Sequence, residues 1–324
     1  MAHEVLMAHD EVLEWMLQER DQVKYFKLWR ICNDMYKRKM GKSMNEMDYN
    51  KQHTIEYYNN HAGTYDNDGE YPANKFRLEL ISGILDKLPK GKILDAGCGT
   101  GKFLEIATKK GFDCTGCDFS KGMLNKAKEI VPNVLFYQTS IDDLSMFDDN
   151  SFDYVFCLGV LPYIPEEQEN KIYQELRRVI KKGGYFISAH QNELFDIFTF
   201  NKYTLRFYEK NIFSLVNIEN AKEKLASLIM NPDKPINKNS ENSARDIVFT
   251  KPENPILYPS KLAKYGFEHK EFLYYNFHCL PPLIRNADKK LIEISKEMEI
   301  KLAKEWQGMF MASTFINVAK AMQI

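Results

Sequence analysis

The stretch KILDAGCGTGKF, residues 92–103, passes from an apolar run into glycines at every second position, Gly97, Gly99 and Gly101. A strand-to-helix turn of this kind leaves backbone N–H groups free, and glycine lets a ligand approach them with no Cβ in the way. The loop therefore reads as a ligand cradle. A dinucleotide fingerprint, GxGxxG, requires glycine at position 102, where Lys102 stands. A phosphate-binding P-loop ends in GKS or GKT, and this one ends in GKF. Both of those ligands are disfavoured.

Working outward, short apolar runs recur at 93–96, 114–117, 134–137, 154–158 and 185–189, with helix-like stretches or turns between them. That alternation describes βαβ units and a parallel sheet covered on both faces. Residues 166–180 read as a helix, with Ile172, Leu176, Val179 and Ile180 at three- to four-residue spacing and Gly183-Gly184 as its stop. Strand-like composition returns at 270–278 and 313–319, around a charge-rich helical piece at 283–306. Residues 1–50, with no proline and no glycine before Gly41, predict an N-terminal helical extension that offers a surface for a homodimer. The segment 191–260 is too long for an ordinary connection and predicts an inserted cap within a main domain spanning 51–324.

Bulk properties limit the partners. The 324 residues hold 44 Lys plus Arg against 45 Asp plus Glu, and the segment 191–260 holds nine of each sign. Neither balance builds the positive groove that a nucleic acid requires, so no nucleic-acid partner is expected. No apolar run approaches the roughly 20 residues that span a bilayer, and acidic residues at 4, 10, 11 and 14 do not fit a signal peptide. A cytoplasmic protein with no membrane partner is expected. Six scattered cysteines do not form a disulfide framework, and the single CxxC, Cys114 to Cys117, has no second pair at zinc spacing. The acidic pairs at 142 and 148 are explained as turn residues before a strand, and no metal site is expected.

The pattern LDAGCGTG, residues 94–101, resembles the first motif of the class I S-adenosylmethionine-dependent methyltransferases, and the resemblance extends over residues 55–190. Asp118, in CTGCDFS, closes the second strand 21 residues after Gly97, where that family places the acid accepting both ribose hydroxyls. A carboxylate suits a vicinal diol because it accepts two charge-assisted hydrogen bonds. SIDDLSMFDDNSFDYVFCLGVLPYI, residues 140–164, resembles the adenine-side loop and fourth strand, and LRRVIKKGGYFISA, residues 176–189, resembles the helix, turn and fifth strand. The resemblance implies a doubly wound, seven-stranded α/β Rossmann-like sheet whose last strand is antiparallel, with S-adenosyl-L-methionine as cofactor. It implies cofactor contacts at Gly97, Cys98, Gly99, Gly101, Asp118, Phe119 and Leu158, and for Asp95 either ordering of the loop or a contact with the cofactor ammonium through water. Where the family often has Asp beside the adenine amine, this chain has Ser140, which leaves Ile141 backbone groups and Asp142 for that task. IEYYNNHAGTYDND, residues 55–68, resembles the family's N-terminal element, which makes Tyr57, Tyr58 and Tyr65 candidates to fold over the cofactor.

Methyl transfer from a sulfonium needs alignment first and a base only if the acceptor is a hydroxyl. His190, at the end of the fifth strand, is the first candidate base, followed by Tyr163 and His61, with His278 read as structural. The aromatic run NELFDIFTFNKYTLRFYEKNIF, residues 192–213, offers apolar walls with Asn201 and Arg206 as polar handles. The expected acceptor is a small polar or aromatic metabolite, such as a sugar or natural-product intermediate, methylated on oxygen in preference to nitrogen. An RNA or protein methyltransferase and a non-catalytic cofactor-binding protein are the rival readings.

Overall fold

The computed structural model describes residues 51–66, 73–213, 249–282 and 289–323, with a few positions between 222 and 229. The expected helices at 1–50, the homodimer surface assigned to them, and most of 214–248 lie outside the described residues.

Seven strands form one sheet: β1 Lys92–Ala96, β2 Asp113–Asp118, β3 Leu135–Gln138, β4 Phe152–Leu158, β5 Ile180–Gln191, β6 Phe267–Phe277 and β7 Ala312–Ala321. Their order is β3-β2-β1-β4-β5-β7-β6. The first five pair in parallel, and β7 runs antiparallel to both β5 and β6. This is the expected doubly wound sheet with its antiparallel last strand. The helices used below are α1 Lys51–His61, α2 Ala73–Leu85, α3 Lys102–Lys109, α4 Lys121–Ile130, α5 Glu166–Val179, α6 Phe195–Phe198, α7 Lys202–Tyr208, α8 Tyr258–Lys264, α9 Lys289–Leu302 and α10 Gly308–Met311. None is long and apolar enough to cross a membrane.

Successive strand residues point to opposite faces, so each buried strand feeds two cores. On one face, Leu94, Val155, Phe186 and Phe315 pack under α5 and α8, with Tyr173, Leu176, Tyr258 and Leu262. On the other, Ile93, Phe156, Ile187 and Ile316 pack under α2, α3 and α4, with Ile81, Leu104 and Leu124. The helices earn their places by the spacing of those apolar residues. Ser120 fixes where α4 begins, since its side chain accepts the Met123 N–H as an N-cap. The same alternation answers the CxxC question. Cys114 and Cys117 belong to opposite cores, and burial pushes their thiols up to about 11 and about 12.

One boundary differs from expectation. Gly183-Gly184 does not stop a helix, because α5 already ends at Val179 and β5 begins at Ile180. Gly183, at φ 78°, instead lies within the extended run of β5, where the pairing with β4 shifts register between Phe152 and Tyr154.

Candidate functional site

A cleft of about 740 Å³, counted out into open solvent, opens at the C-terminal ends of β1, β2 and β4. Parallel α/β sheets bind ligands at this end, beside the point where strand order reverses. Gly97, Gly99, Asp118 and Phe119 line its floor; Thr139, Ser140 and Ile141 line one side; Leu158, Gly159, Val160, Tyr163 and Ile164 line the other. Lys51, Thr54 and Tyr58 of α1, followed by Tyr65, close it from above. The three α1 residues are spaced three and four apart, which sets them on one helix face.

The glycine loop is shaped by two distinct demands. Gly97 has φ 85°, and a Cβ there would sit 2.3 Å from Val160 Cγ2, so no larger residue fits. Gly99 has φ 51°, and no atom lies within 4 Å of the position its Cβ would take. The first glycine packs, and the second holds open a space for a ligand.

Asp118 ties the loop to the second strand. Its Oδ2 accepts the Gly99 N–H at 3.0 Å and its Oδ1 accepts the Ser120 N–H at 2.8 Å. Burial pushes its carboxyl up to about 6, although the N–H groups of Ser120, Gly99 and Phe119 pull the other way. Asp95 lies behind the loop, 2% exposed, and is pushed up to about 8 by burial and then by the Asp118 charge, with Arg77 opposing. Arg77, from α2, is hydrogen-bonded to Tyr275 and close enough to Asp95 and Tyr65 to be attracted by both. Asp95 Oδ1 and Arg77 Nε are buried with no hydrogen-bond partner among the described residues. An orphaned acceptor and an orphaned donor beside an open glycine cradle fit a ligand that carries both an ammonium and a carboxylate.

The wall opposite the floor is aromatic. Tyr58 meets Tyr65, Phe119 and Tyr163 edge to face, at ring-centroid distances of 6.0, 6.1 and 6.1 Å. Burial, followed by Tyr163, raises the Tyr58 phenol well above its ordinary pKa, so Tyr58 stays neutral.

The structure thus brings together Tyr65, Gly97, Gly99, Asp118, Phe119, Ser140, Ile141, Leu158 and Tyr163 around one cleft. Other sequence candidates fall beside it. Cys98 is buried behind the turn, and Gly101, at φ 80°, starts α3. Asp142 is not among the lining residues but is paired with Lys51 at 3.3 Å; burial pushes its carboxyl up, but the Ser140 hydroxyl and Lys51 outweigh that and hold it low. Tyr57 turns away and stacks on His61 at 4.2 Å, and His61 Nδ1 bonds the Tyr57 carbonyl at 2.7 Å, so neither lines the cleft.

His190 is placed differently from the expectation that it faces the acceptor. It is 1% exposed, stacked on Phe315 at 5.2 Å and tilted against Tyr258 at 4.5 Å, with Nε2 bonded to Ser188 Oγ at 2.8 Å. Burial, then Lys261 and Lys251, lower its pKa well below the ordinary value. The aromatic run at 192–213 is also apart from the cleft: Phe195 packs on His278 at 4.8 Å, Phe200 is exposed, and Asn201 caps α7 by accepting the Tyr203 N–H. Sequence reasoning missed Lys51, Thr54, Met123, Thr139, Gly159, Val160, Ile164 and Arg77. Of these Gly159, Val160 and Ile164 carried a local signal, their place just after the fourth strand.

Residues 93–184 match the model of a methyltransferase domain family. The ubiquinone biosynthesis O-methyltransferase of Alkalilimnicola ehrlichii is 31% identical over 126 residues, 38% of this chain and 50% of that protein. The 2-methyl-6-phytyl-1,4-hydroquinone methyltransferase of Synechocystis is 34% identical over 174 residues, 49% of this chain and 52% of that protein. The chain therefore spans about half the length of these curated relatives. Among solved structures, the complex between the Haloferax volcanii Trm112 methyltransferase activator and a methyltransferase matches with a TM-score of 0.50 and 16% identity, over 82% of this chain and 98% of that one. That likeness concerns the fold alone.

Proposed function

We propose that the chain is a class I S-adenosylmethionine-dependent methyltransferase that methylates a small aromatic acceptor on a phenolic oxygen, a reading supported by the methyltransferase domain match over residues 93–184 and by the seven-stranded sheet. S-adenosylmethionine, when bound, supplies a methyl group on a sulfonium that leaves as a neutral thioether. The chain's residues supply position and exclusion of water. The carrying observation is Asp118, a buried carboxylate fixed by two backbone N–H groups at the floor of the cleft, 3.0 and 2.8 Å away. Its remaining lone pairs suit the ribose hydroxyls, as charge-assisted bonds from a fixed geometry. Asp95 and the loop carbonyls suit the ammonium of the methionine half, and Arg77 suits its carboxylate.

The acceptor side is formed by Tyr58, Tyr65, Tyr163, Val160 and Ile164. Apolar and aromatic walls with few polar groups suit a flat, weakly polar molecule. Among the described lining residues there is no imidazole. An acceptor that releases its own proton readily is favoured by that lining, and a phenol, with a pKa near 10 like that of tyrosine, does so far more easily than an alcohol. The two curated relatives named above act on quinone-pathway or hydroquinone compounds by their names, which supports the same class. A neutral amine is the second reading, favoured by the same lack of an imidazole. Transfer of tritiated methyl from S-adenosylmethionine to matched panels of phenols, sugars and amines separates the readings. Label in the phenol panel is the expected outcome, and label confined to sugars or amines overturns the phenol assignment.

A further inference from the structure

We infer that Asn59 is a positioning residue that latches α1 over the cleft and couples its seating to the setting of Asp118, an inference that rests on the cofactor reading above. Asn59 Oδ1 accepts two hydrogen bonds from the start of α4, from Ser120 Oγ at 2.7 Å and from the Gly122 N–H at 2.9 Å. The amide orientation is fixed by this arrangement, because the Gly122 N–H can only donate. Ser120 is fully buried and already bonded twice more: its hydroxyl oxygen accepts the Met123 N–H at 3.2 Å, and its own N–H donates to Asp118 Oδ1 at 2.8 Å. Asn59, Ser120, Asp118 and Gly99 thus form one continuous chain from the roof helix to the glycine loop.

Steric fit supports the same contact independently. A Cβ on Gly122 would lie 2.8 Å from the Asn59 carbonyl oxygen and 3.0 Å from its Cα. Both atoms are backbone, so nothing there can give except α1 itself. Tyr58, the residue before Asn59, is the ring that meets Tyr65, Phe119 and Tyr163, so a shift of α1 at Asn59 moves the aromatic wall directly. A ligand held between Asp118 and that wall lies beneath α1, so lifting of α1 eases its passage. The latch therefore governs exchange rather than the contacts made once the site is closed.

Two variants loosen the latch by different physics. Asn59→Ala removes both acceptor bonds. Gly122→Ala keeps the donors and the acceptor but pushes the helices apart, while alanine inside a helix is intrinsically better than glycine by roughly 1 kcal/mol, so a general loss of folding is not its expected effect. Asn59→Asp is the conservative control, since a carboxylate accepts both bonds and is favoured at the N-terminus of α4. Exchange is read on the full chain as release of tritiated S-adenosylhomocysteine into excess unlabelled ligand. Both association and release should accelerate about tenfold in the alanine variants, consistent with a bond or two of modest net worth. The Asn59→Asp variant should return to the wild-type rate, and the unfolding midpoint of unliganded Gly122→Ala should not fall. Wild-type exchange rates in both alanine variants overturn the latch and leave the cofactor assignment standing. A wild-type chain that takes up no S-adenosylhomocysteine overturns the cofactor assignment, and the latch with it.

Discussion

Among the described residues, two groups of largely buried charge are handled in opposite ways. Between α5 and the segment leading into α8, Glu169 and Glu253 face Lys251 and Lys261: Lys261 reaches Glu169 at 2.7 Å and Glu253 at 2.5 Å, and Lys251 is bonded to Glu169. Burial works against the Lys261 ammonium, but the two glutamates outweigh it and hold its pKa above the ordinary value. Every charge in that cluster has an opposite partner, and the cluster pins the strand-like residues 250–253 to the turn before α5, where the Lys251 N–H donates to the Pro162 carbonyl at 2.6 Å. At the cleft, Asp95 and Asp118 stand beside one another with only Arg77 as an opposing charge, and burial still pushes both carboxyls up, to about 8 and about 6. A compensated cluster is complete in itself and acts as structure. A pair of carboxylates set against one guanidinium is compensated only in part, and such a site is where a ligand supplies the missing donors.

The sharpest break of this comparison is Asp118→Ala. Removing an acceptor of two charge-assisted bonds should weaken S-adenosylhomocysteine binding by more than about a hundredfold in calorimetry. Retained affinity would erase the distinction between the two groups. The matching change in the other group is Glu169→Leu, which leaves two buried lysines facing Glu253 alone. It should cost about 3 kcal/mol of stability, read as a fall of several degrees in the unfolding midpoint. Cofactor affinity measured well below that midpoint should stay at the wild-type value. A loss of affinity equal to that of Asp118→Ala would show that the paired cluster also serves the site.

The cofactor end of the site was legible because its signals are local. Three alternating glycines and an acid 21 residues on are sequence facts, and the short apolar runs of β1 to β4 give themselves away by length and composition. The residues that were missed arrive through tertiary packing. Arg77 comes from α2, which ends at Leu85 before β1 begins at Lys92, and Lys51 and Thr54 face the cleft through the docking of α1 on α4, where Asn59 is bonded. His190 illustrates a different limit. Its position at the end of β5 suggested the cleft, but register decides the face: it alternates with Ala189 and shares the side of Phe186 and Ser188, under α8. A shift of one residue would have turned it over. The aromatics at 195–213 likewise pack among themselves and on His278, which composition alone does not distinguish from lining a pocket.

Titration sharpens the comparison with a smaller effect. Ligand hydroxyls need Asp118 as a carboxylate, so affinity for S-adenosylhomocysteine should be level above pH 7 and decline below about pH 6, approaching tenfold per unit in calorimetry. The stability of the unliganded chain carries the opposite sign. A folded pKa of about 6 against an unfolded value of 3.8 means that between those two pH values the folded state holds a proton that the unfolded state has released. This group therefore favours folding at the acid end and ceases to do so as pH rises through 6. Asp118→Asn should remove that slope and raise the stability of the unliganded chain at pH 7, by at most about 3 kcal/mol, since its single amide oxygen accepts only one of the Gly99 and Ser120 N–H groups and its NH2 faces the other. The same variant should weaken cofactor binding, so stability and affinity are expected to move in opposite directions. A variant that loses both would place Asp118 with the structural charges.

The smallest expected effect belongs to His190, because the comparison assigns it to the compensated group. Its pKa is lowered by burial and by Lys261 and Lys251, and its ring is held by Ser188, Tyr258 and Phe315. Nitrogen-15 spectra of the imidazole should show a neutral ring at pH 6, where an ordinary histidine with a pKa of about 6.5 is mostly protonated. Lys251→Met should raise that pKa, since it removes one of the two nearby positive charges. His190→Gln keeps a side chain able to bond Ser188 and should leave cofactor affinity within about twofold, with a stability loss of roughly 1 kcal/mol from imperfect packing. The discriminating result is turnover once an acceptor is in hand. Near wild-type turnover in His190→Gln fits a ring buried on the far face of β5, whereas a loss of several hundredfold with cofactor affinity intact would move His190 back to the reacting atoms and require β5 to shift its register against β7.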